Sequence, residues 1–388
     1  MEFFMSFTLT PRRKRAVVVS VSVTLLGLVA TPALAGVTNL FDSPVPAGFR
    51  VASGPNTVIP PYVIPSHTDV TIQSLLTTGD APVNGYGFGG IPDALSTFKL
   101  NNTYTSLFVN HELNSAQGIA RATGQRGSYV SRWVMDDKGK FISGSDLIKS
   151  SKFWDGSTWT DAPTGSDVAT FSRFCSGSLA DPLSLFDVAT ATGTPAGVYF
   201  ANEESGDNGR VMGVDINSGI AYELPALGRA SFEIVNLAKG TGKKTVTIAD
   251  EDGTVNAGQL WVYEGTKKRS GNTVEKAGLT GGSLSIVKVV DDNGNRIVND
   301  DAFRANTSLG QSRNFELASV SASKDGAAAN TAASAAGTGL SRIEDGMFDP
   351  NNPNDYWFIT TAGGSNNTAN LSSGALWRLR FTDIANPS

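Results

Sequence analysis

The chain has 388 residues, a formal charge of −5, one cysteine and two histidines. The acidic balance excludes partners that demand a basic face, such as nucleic acid or an anionic membrane. The lone Cys175 excludes an internal disulfide, and two histidines leave a thiol nucleophile short of a base.

In chain order, Arg12, Arg13, Lys14 and Arg15 precede an apolar stretch from Ala16 to Ala30 and the small-x-small pattern Ala33-Leu34-Ala35. This layout predicts a signal peptide over 1–35 and a mature single domain over 36–388, secreted, periplasmic or at the cell surface. The apolar core falls short of the ~20 residues of a spanning helix, so no membrane span is expected in the mature chain. Lys14 and Arg15 follow the arginine pair where a twin-arginine signal prefers a hydrophobic residue, which favours general secretion.

Short runs rich in Val, Ile, Phe, Tyr, Trp and Thr alternate with Gly, Asn, Asp and Ser clusters over the remainder, so the expected class is all-β with short helical insertions. Helices are expected only around Pro92–Ser96, over Pro182–Val188 and in "AAANTAASAAG" from Ala327, where a surface loop fits equally well. A common unit recurs: an apolar run ends in polar or acidic residues, a glycine turn follows, and a second apolar run resumes. It is seen at Val198, Val246 and Tyr356, with "LFVNHE" as a first half. Repeats of this kind suggest propeller blades, whose inner strands end around one channel; a sandwich would not need the acidic ends.

Those ends supply Glu112, Glu203, Glu204, Asp250, Glu251 and Asp252. Carboxylates gathered in one place repel by ~1 kcal/mol per pair at 4 Å even in water, so the cluster calls for cations. Oxygen ligands suit calcium, whereas an added thiolate or imidazole points to a transition metal. Asn110-His111-Glu112 reads either as a turn after a strand or as a ligand with its supporting partners, Glu112 being the better ligand and Asn110 and His111 the supports. Cys175 lies in "SRFCSGSLADP" and is either a buried small hydrophobe or a metal-binding thiolate. Asp252-Gly253 is also what a hairpin turn would use, an explanation that does not extend to Glu203-Glu204. In "GLSRIEDGMF", Arg342 and Glu344 fall on one side of an extended backbone. They form either a surface ion pair or a guanidinium placed to hold a phosphate oxygen beside a metal-bound carboxylate. "DDNGNRIVND" from Asp291 is a hairpin turn rather than an EF-hand loop, "GLTGGS" from Gly278 lacks a phosphate-loop lysine, and no Gly-x-Ser-x-Gly elbow is present.

Taken in order, "VNHE" at Val109, "SRFCSG" at Ser172, "FANEESG" at Phe200, "GRASFE" at Gly228, "IADEDG" at Ile248, "SRIEDGMFDP" at Ser341 and "GALWRLRF" at Gly374 resemble the PhoX family of secreted alkaline phosphatases. The resemblance implies a six-bladed propeller holding Fe(3+) and Ca(2+) at its centre. It also implies hydrolysis of small phosphomonoesters through a metal-activated oxygen nucleophile, by a protein expected to be monomeric. Carried over by motif, Cys175 would ligate iron; Glu203 or Glu204, Glu233, Asp252 or Asp250, and Glu344 would bind metal; and Arg342 would contact the substrate phosphate. The chain departs from the family after the cysteine loop, where "SLADPLSLFD" replaces a glycine-rich, tryptophan-bearing segment, and at Phe232-Glu233, a reduced histidine-glutamate motif. The alternative is a non-catalytic, calcium-stabilised extracellular or surface propeller acting as a binding or structural protein.

Overall fold

The computed structural model describes residues 50–387 except 164–165, 181, 309 and 362–373; the expected leader over 1–35 lies outside the described residues. Among the described residues, four largely antiparallel sheets of three to six strands succeed one another along the chain as the blades of a β-propeller. The first blade pairs Pro92–Lys99, Tyr104–His111, Tyr129–Asp136 and Phe141–Asp146 in sequence order. The second runs from Phe174–Ala180 through Val198–Glu203 and Val211–Asp215 to Ile220–Glu223, and is widened by Ser150–Trp154, which joins parallel, and by Trp159–Asp161. The third carries Phe232–Leu237, Lys244–Glu251, Leu260–Thr266, Ser283–Val290 and Asn314–Val320, and the fourth Ile343–Phe348, Asp355–Thr360 and Ala375–Arg380.

Strands in the middle of this stack are covered on both faces, so they read as continuous apolar runs rather than alternating ones. Every residue of Val198–Glu203 is buried. Phe108, Phe174, Tyr199 and Met212 join the first blade to the second. Phe200 and Leu224 meet Phe232 and Trp261 between the second and third, and Ile248 and Val262 meet Tyr356 and Phe358 between the third and fourth. Each such side chain contributes roughly 1.5–3 kcal/mol by leaving water, so the inter-blade seams hold the sheets in place. The first strands of consecutive blades lie against one another, which puts their opening residues side by side.

Two expected helices are not formed. Pro92–Ser96 lies within the strand Pro92–Lys99, which pairs with Tyr104–His111; proline is tolerated because it occupies the first position of a strand at the edge of its sheet. Pro182–Val188 is a set of turns around the two-residue ladder of Phe186–Asp187 with Thr192–Gly193; Leu185 is buried but Leu183 and Val188 are exposed, so the segment offers a single anchor and no continuous apolar stripe. The alanine-rich segment is a helix, Gly326–Ala336, capped by Asp325, whose side chain accepts from the Ala328 amide at 3.0 Å. Its packing face is made of small residues, Gly326, Ala329 and Ala333. A Cβ at residue 326 would stand 1.5 Å from the Asp207 carbonyl oxygen, so only glycine lets the helix sit this close. The Asp291 segment is a turn, with its carboxylate accepting from the amides of Asn293 and Asn295.

Candidate metal centre

One feature repeats in all four blades. The first strand opens with an apolar residue or proline, and its second residue is a metal-type donor: Asp93 after Pro92, Cys175 after Phe174, Glu233 after Phe232, Glu344 after Ile343. At each of these places the ladder to the second strand slips by one residue. A β-bulge of this kind leaves a residue unpaired and turns its side chain out of the regular alternation. Phe174, Phe232 and Ile343 are fully buried and anchor the strand starts. The donors beside them gather into three adjoining groups, each with donor atoms within 4.8 Å of one another: Asp93, Glu112 and Cys175; Cys175, Glu204 and Glu233; and Glu233, Asp252 and Glu344.

The Cys175 thiol donates to Glu233 Oε1 at 3.1 Å and lies 3.5 Å from Asp93 Oδ2, while Ser176 Oγ donates to Glu233 Oε1 at 2.9 Å. Burial raises Glu233 well above the ordinary carboxylate range, and Glu204 and Glu344 add to the effect. Burial likewise pushes the Cys175 thiol up, reinforced by Glu233 and Asp93, and raises Asp93, Glu204 and Glu344. Two arginines flank the cluster. Arg173 pairs with Glu112 at 3.0 Å and with Glu204. Arg342 grips Asp252 through Nε at 3.1 Å and Nη2 at 2.6 Å, and reaches Glu344 Oε1 at 3.1 Å. Both arginines adopt left-handed backbone, with φ of 52°, a conformation uncommon outside glycine and concentrated at functional sites.

The donor chemistry fits cations. Six carboxylates and a thiol converge on two guanidinium groups, an arrangement whose mutual repulsion multivalent positive charge would relieve. Glu233, Asp252 and Glu344 offer oxygen alone, as a hard cation prefers, while the two groups that include Cys175 suit a softer metal.

The residues singled out from sequence divide into two sets. Cys175, Glu204, Glu233, Asp252, Glu344 and Glu112 belong to the three groups, with Arg342 at their edge. Glu203 is turned away and already saturated: Arg210 donates to Oε2 at 2.5 Å and to Oε1 at 2.8 Å, and the Ser172 amide donates to Oε1 at 3.0 Å. Asp250 is buried against the Tyr356 hydroxyl, which lies 2.9 Å and 3.0 Å from its two oxygens. Glu251 accepts from Trp261 Nε1 and the Gln259 amide, and burial raises it to about 7.

The Asn110-His111-Glu112 tripeptide splits similarly. Asn110 Nδ2 donates to the Cys175 carbonyl at 2.8 Å and its Oδ1 accepts from Tyr199 at 2.8 Å, so it fixes the backbone that carries the thiol. His111 is buried, stacked on Tyr129 with centroids 4.1 Å apart, and bonded at both ring nitrogens, to Ser131 Oγ and the Gly90 carbonyl. Burial lowers its pKa to about 4, so it supports the wall as a neutral ring. Asp93, Asp345 and Arg173 escaped the sequence reading. Asp345, beside Glu344 in the same bulge, keeps an exposed side chain, and desolvation by its neighbours raises its carboxyl above the ordinary aspartate value. The signal that would have found Asp93 is the shared opening of the four strands: an apolar residue or proline, then a donor.

No family model matches the chain, and no curated protein matches it in sequence. Among solved structures, Pseudomonas fluorescens PhoX in complex with vanadate, a transition state analogue, aligns with a TM-score of 0.42 and 12% identity over 79% of this chain and 66% of that one. The chain thus spans 66% of the length of that protein.

Proposed function

We propose that the chain is a metal-dependent phosphomonoesterase, acting on small phosphate esters at the start of the inner strands. The observation that carries this reading is the fourfold repetition of a bulged donor, joined to a guanidinium at the same edge. Calcium structure alone would require neither the thiol of Cys175 nor Arg342. Iron held by Cys175, Glu204 and Glu233, with calcium at Glu233, Asp252 and Glu344, is the assignment the donor types favour. Such ions would neutralise the carboxylates, polarise phosphoryl oxygens and supply the oxygen nucleophile. Arg342 would bind phosphoryl oxygens as a planar, permanently charged fork, and Asn110 would keep the Cys175 backbone in place. A six-bladed closure, one domain over 36–388, a cleaved leader over 1–35, export to the periplasm or cell surface, and a monomeric state belong to the same proposal. Among the described residues, no helix is long and apolar enough to cross a membrane.

The test is metal analysis and visible absorption of the purified protein, followed by hydrolysis of a chromogenic phosphomonoester, with Cys175→Ala as control. Iron, a thiolate charge-transfer band and turnover lost in the variant are expected. Calcium alone without turnover would replace the enzyme by the calcium-stabilised scaffold, a reading to which the all-oxygen group Glu233, Asp252 and Glu344 lends itself.

A further inference from the structure

Immediately before the first residue of the four inner strands stand Ile91, Arg173, Ser231 and Arg342. They are equivalent positions. In every blade the residue that follows the second strand donates its amide to the carbonyl found there: Glu112 to Ile91 at 2.8 Å, Glu204 to Arg173 at 2.9 Å, Asp252 to Ser231 at 2.9 Å and Thr361 to Arg342 at 2.9 Å. Ile91, Arg173 and Arg342 also share left-handed backbone, with φ of 48°, 52° and 52°. These four residues form a tier beside the donors, because three of the amides that lock it belong to Glu112, Glu204 and Asp252.

The second and fourth blades place an arginine in this tier within one seven-residue pattern, "FSRFCSG" from Phe171 and "LSRIEDG" from Leu340. Each guanidinium bridges a carboxylate of the preceding blade and one of its own: Glu112 and Glu204 for Arg173, Asp252 and Glu344 for Arg342. Glu204 acts electrostatically on both guanidinium groups, so the two arginines flank one patch. Their side chains are 46% and 43% exposed. Arg210 is the contrast: its side chain is 10% exposed, and its three nitrogens bond Glu203 and the carbonyls of Val168 and Thr170. Arg173 instead reaches its two carboxylates through Nη2, and both of these are candidate metal donors. A cation bound at Glu112 and Glu204 competes with the guanidinium for the same oxygens and leaves it available to another anion.

We infer that Arg173 is a second substrate-contacting residue, and that the phosphoryl group is held between Arg173 and Arg342. The inference rests on the phosphomonoesterase reading and extends the contact at Arg342 to its counterpart two blades away. A phosphomonoester carries a charge of about −1.5 to −2 at pH 7, which a single guanidinium answers only in part. Two planar, permanently charged forks can share its oxygens, each by charge-assisted hydrogen bonds.

Titration calorimetry of the full, metal-loaded chain with inorganic phosphate, metal analysis of the same samples and initial rates on a chromogenic phosphomonoester test the inference. Arg173→Gln is expected to keep its metal and to bind phosphate about tenfold more weakly or worse, the loss of hydrogen bonds between charged groups. Arg173→Lys keeps the charge that Glu112 and Glu204 answer but loses the fork, so it should fold and bind phosphate with an affinity below the parent's. Phosphate bound by both variants as tightly as by the parent would overturn the inference and leave the phosphatase reading standing, with Arg173 a counter-ion of the donor groups. Affinity lost only in step with metal would do the same. If Arg173→Gln fails to fold, the lysine variant decides alone. Phosphate binding weakened in the variants, with no hydrolysis by the parent, would overturn the phosphatase reading and leave the two-arginine site in place. A parent that holds metal and binds no phosphate overturns both.

Discussion

Glu203 and Glu204 are neighbours in one strand end and have opposite fates. Glu203 is enclosed by Arg210 and the Ser172 amide, with its hydrogen-bonding capacity met inside the protein. Glu204 faces Cys175 and Glu233 and is only partly compensated by Arg173. The same division separates Asp250, bonded to Tyr356, from Asp252, which stands with Glu233 and Glu344. Two kinds of acidic site thus lie within a few residues of each other. One is internally saturated and serves the fold; the other is left with mutual repulsion, which under the proposed function a metal ion would answer. Burial does not distinguish them, since Glu203 and Glu233 are both buried. What distinguishes them is the company of other carboxylates: even Asp252, held by Arg342, stands beside Glu233 and Glu344.

Substitutions can break this division, and the largest effect is expected at Glu233, which two of the three donor groups share. Glu233→Gln should remove bound metal and lower phosphomonoester hydrolysis by more than about 100-fold, beyond the ~10–100-fold typical of groups that merely support ligands. Its unfolding midpoint in the metal-free state should change little or rise, because a repelling carboxylate has been neutralised. Metal content, hydrolysis rates and urea titrations check the three parts. Glu203→Gln should do the reverse. It leaves the Arg210 guanidinium buried without its partner, a loss of about 3 kcal/mol, with metal content retained. If Glu203→Gln lost metal while keeping its stability, the division would be wrong.

A smaller effect is expected at Tyr356, whose hydroxyl contacts both oxygens of Asp250 and also accepts from Asn236 Nδ2 at 3.1 Å. Tyr356→Phe leaves a buried carboxyl short of a donor and should cost about 1–3 kcal/mol, read from denaturant unfolding, with no change in metal content.

The all-β class and the hairpins at Val198, Val246 and Tyr356 were legible because apolar runs broken by glycine turns have one reading once helical periodicity is missing. The convergence of acidic residues was legible in outline for the same reason: second strands end where first strands begin. The bulges were not legible. A one-residue slip is a property of the pairing, and nothing in Phe232-Glu233 or Ile343-Glu344 marks it. The strand-end argument therefore chose Glu203 and Asp250, at the ends of second strands, and passed over Glu233, which only the family resemblance supplied. Asp93 was hidden by a proline that looked like a helix start and is a strand start. The helix Gly326–Ala336 was ambiguous because its packing face is glycine and alanine, whose burial depends on a surface close enough to use them.

The smallest effect sharpens the comparison by pH, at a saturated carboxylate remote from the metal groups. Asp355 is buried at the start of its strand and receives Arg380 Nε at 2.7 Å and Nη2 at 2.6 Å. These hydrogen bonds from Arg380 hold its pKa below the ordinary aspartate value. A depressed folded-state pKa contributes stability that is present above the unfolded-state value of about 3.9 and is lost as pH falls through the folded-state value. Asp355→Asn should therefore be less stable than the parent at pH 6, and the gap between them should close below about pH 4. Urea midpoints of the two proteins measured from pH 6 down to pH 3 give that gap directly. A gap that stayed constant over this range would mean that the Asp355 contribution lies in packing and neutral hydrogen bonding, and that its charge is not what Arg380 answers.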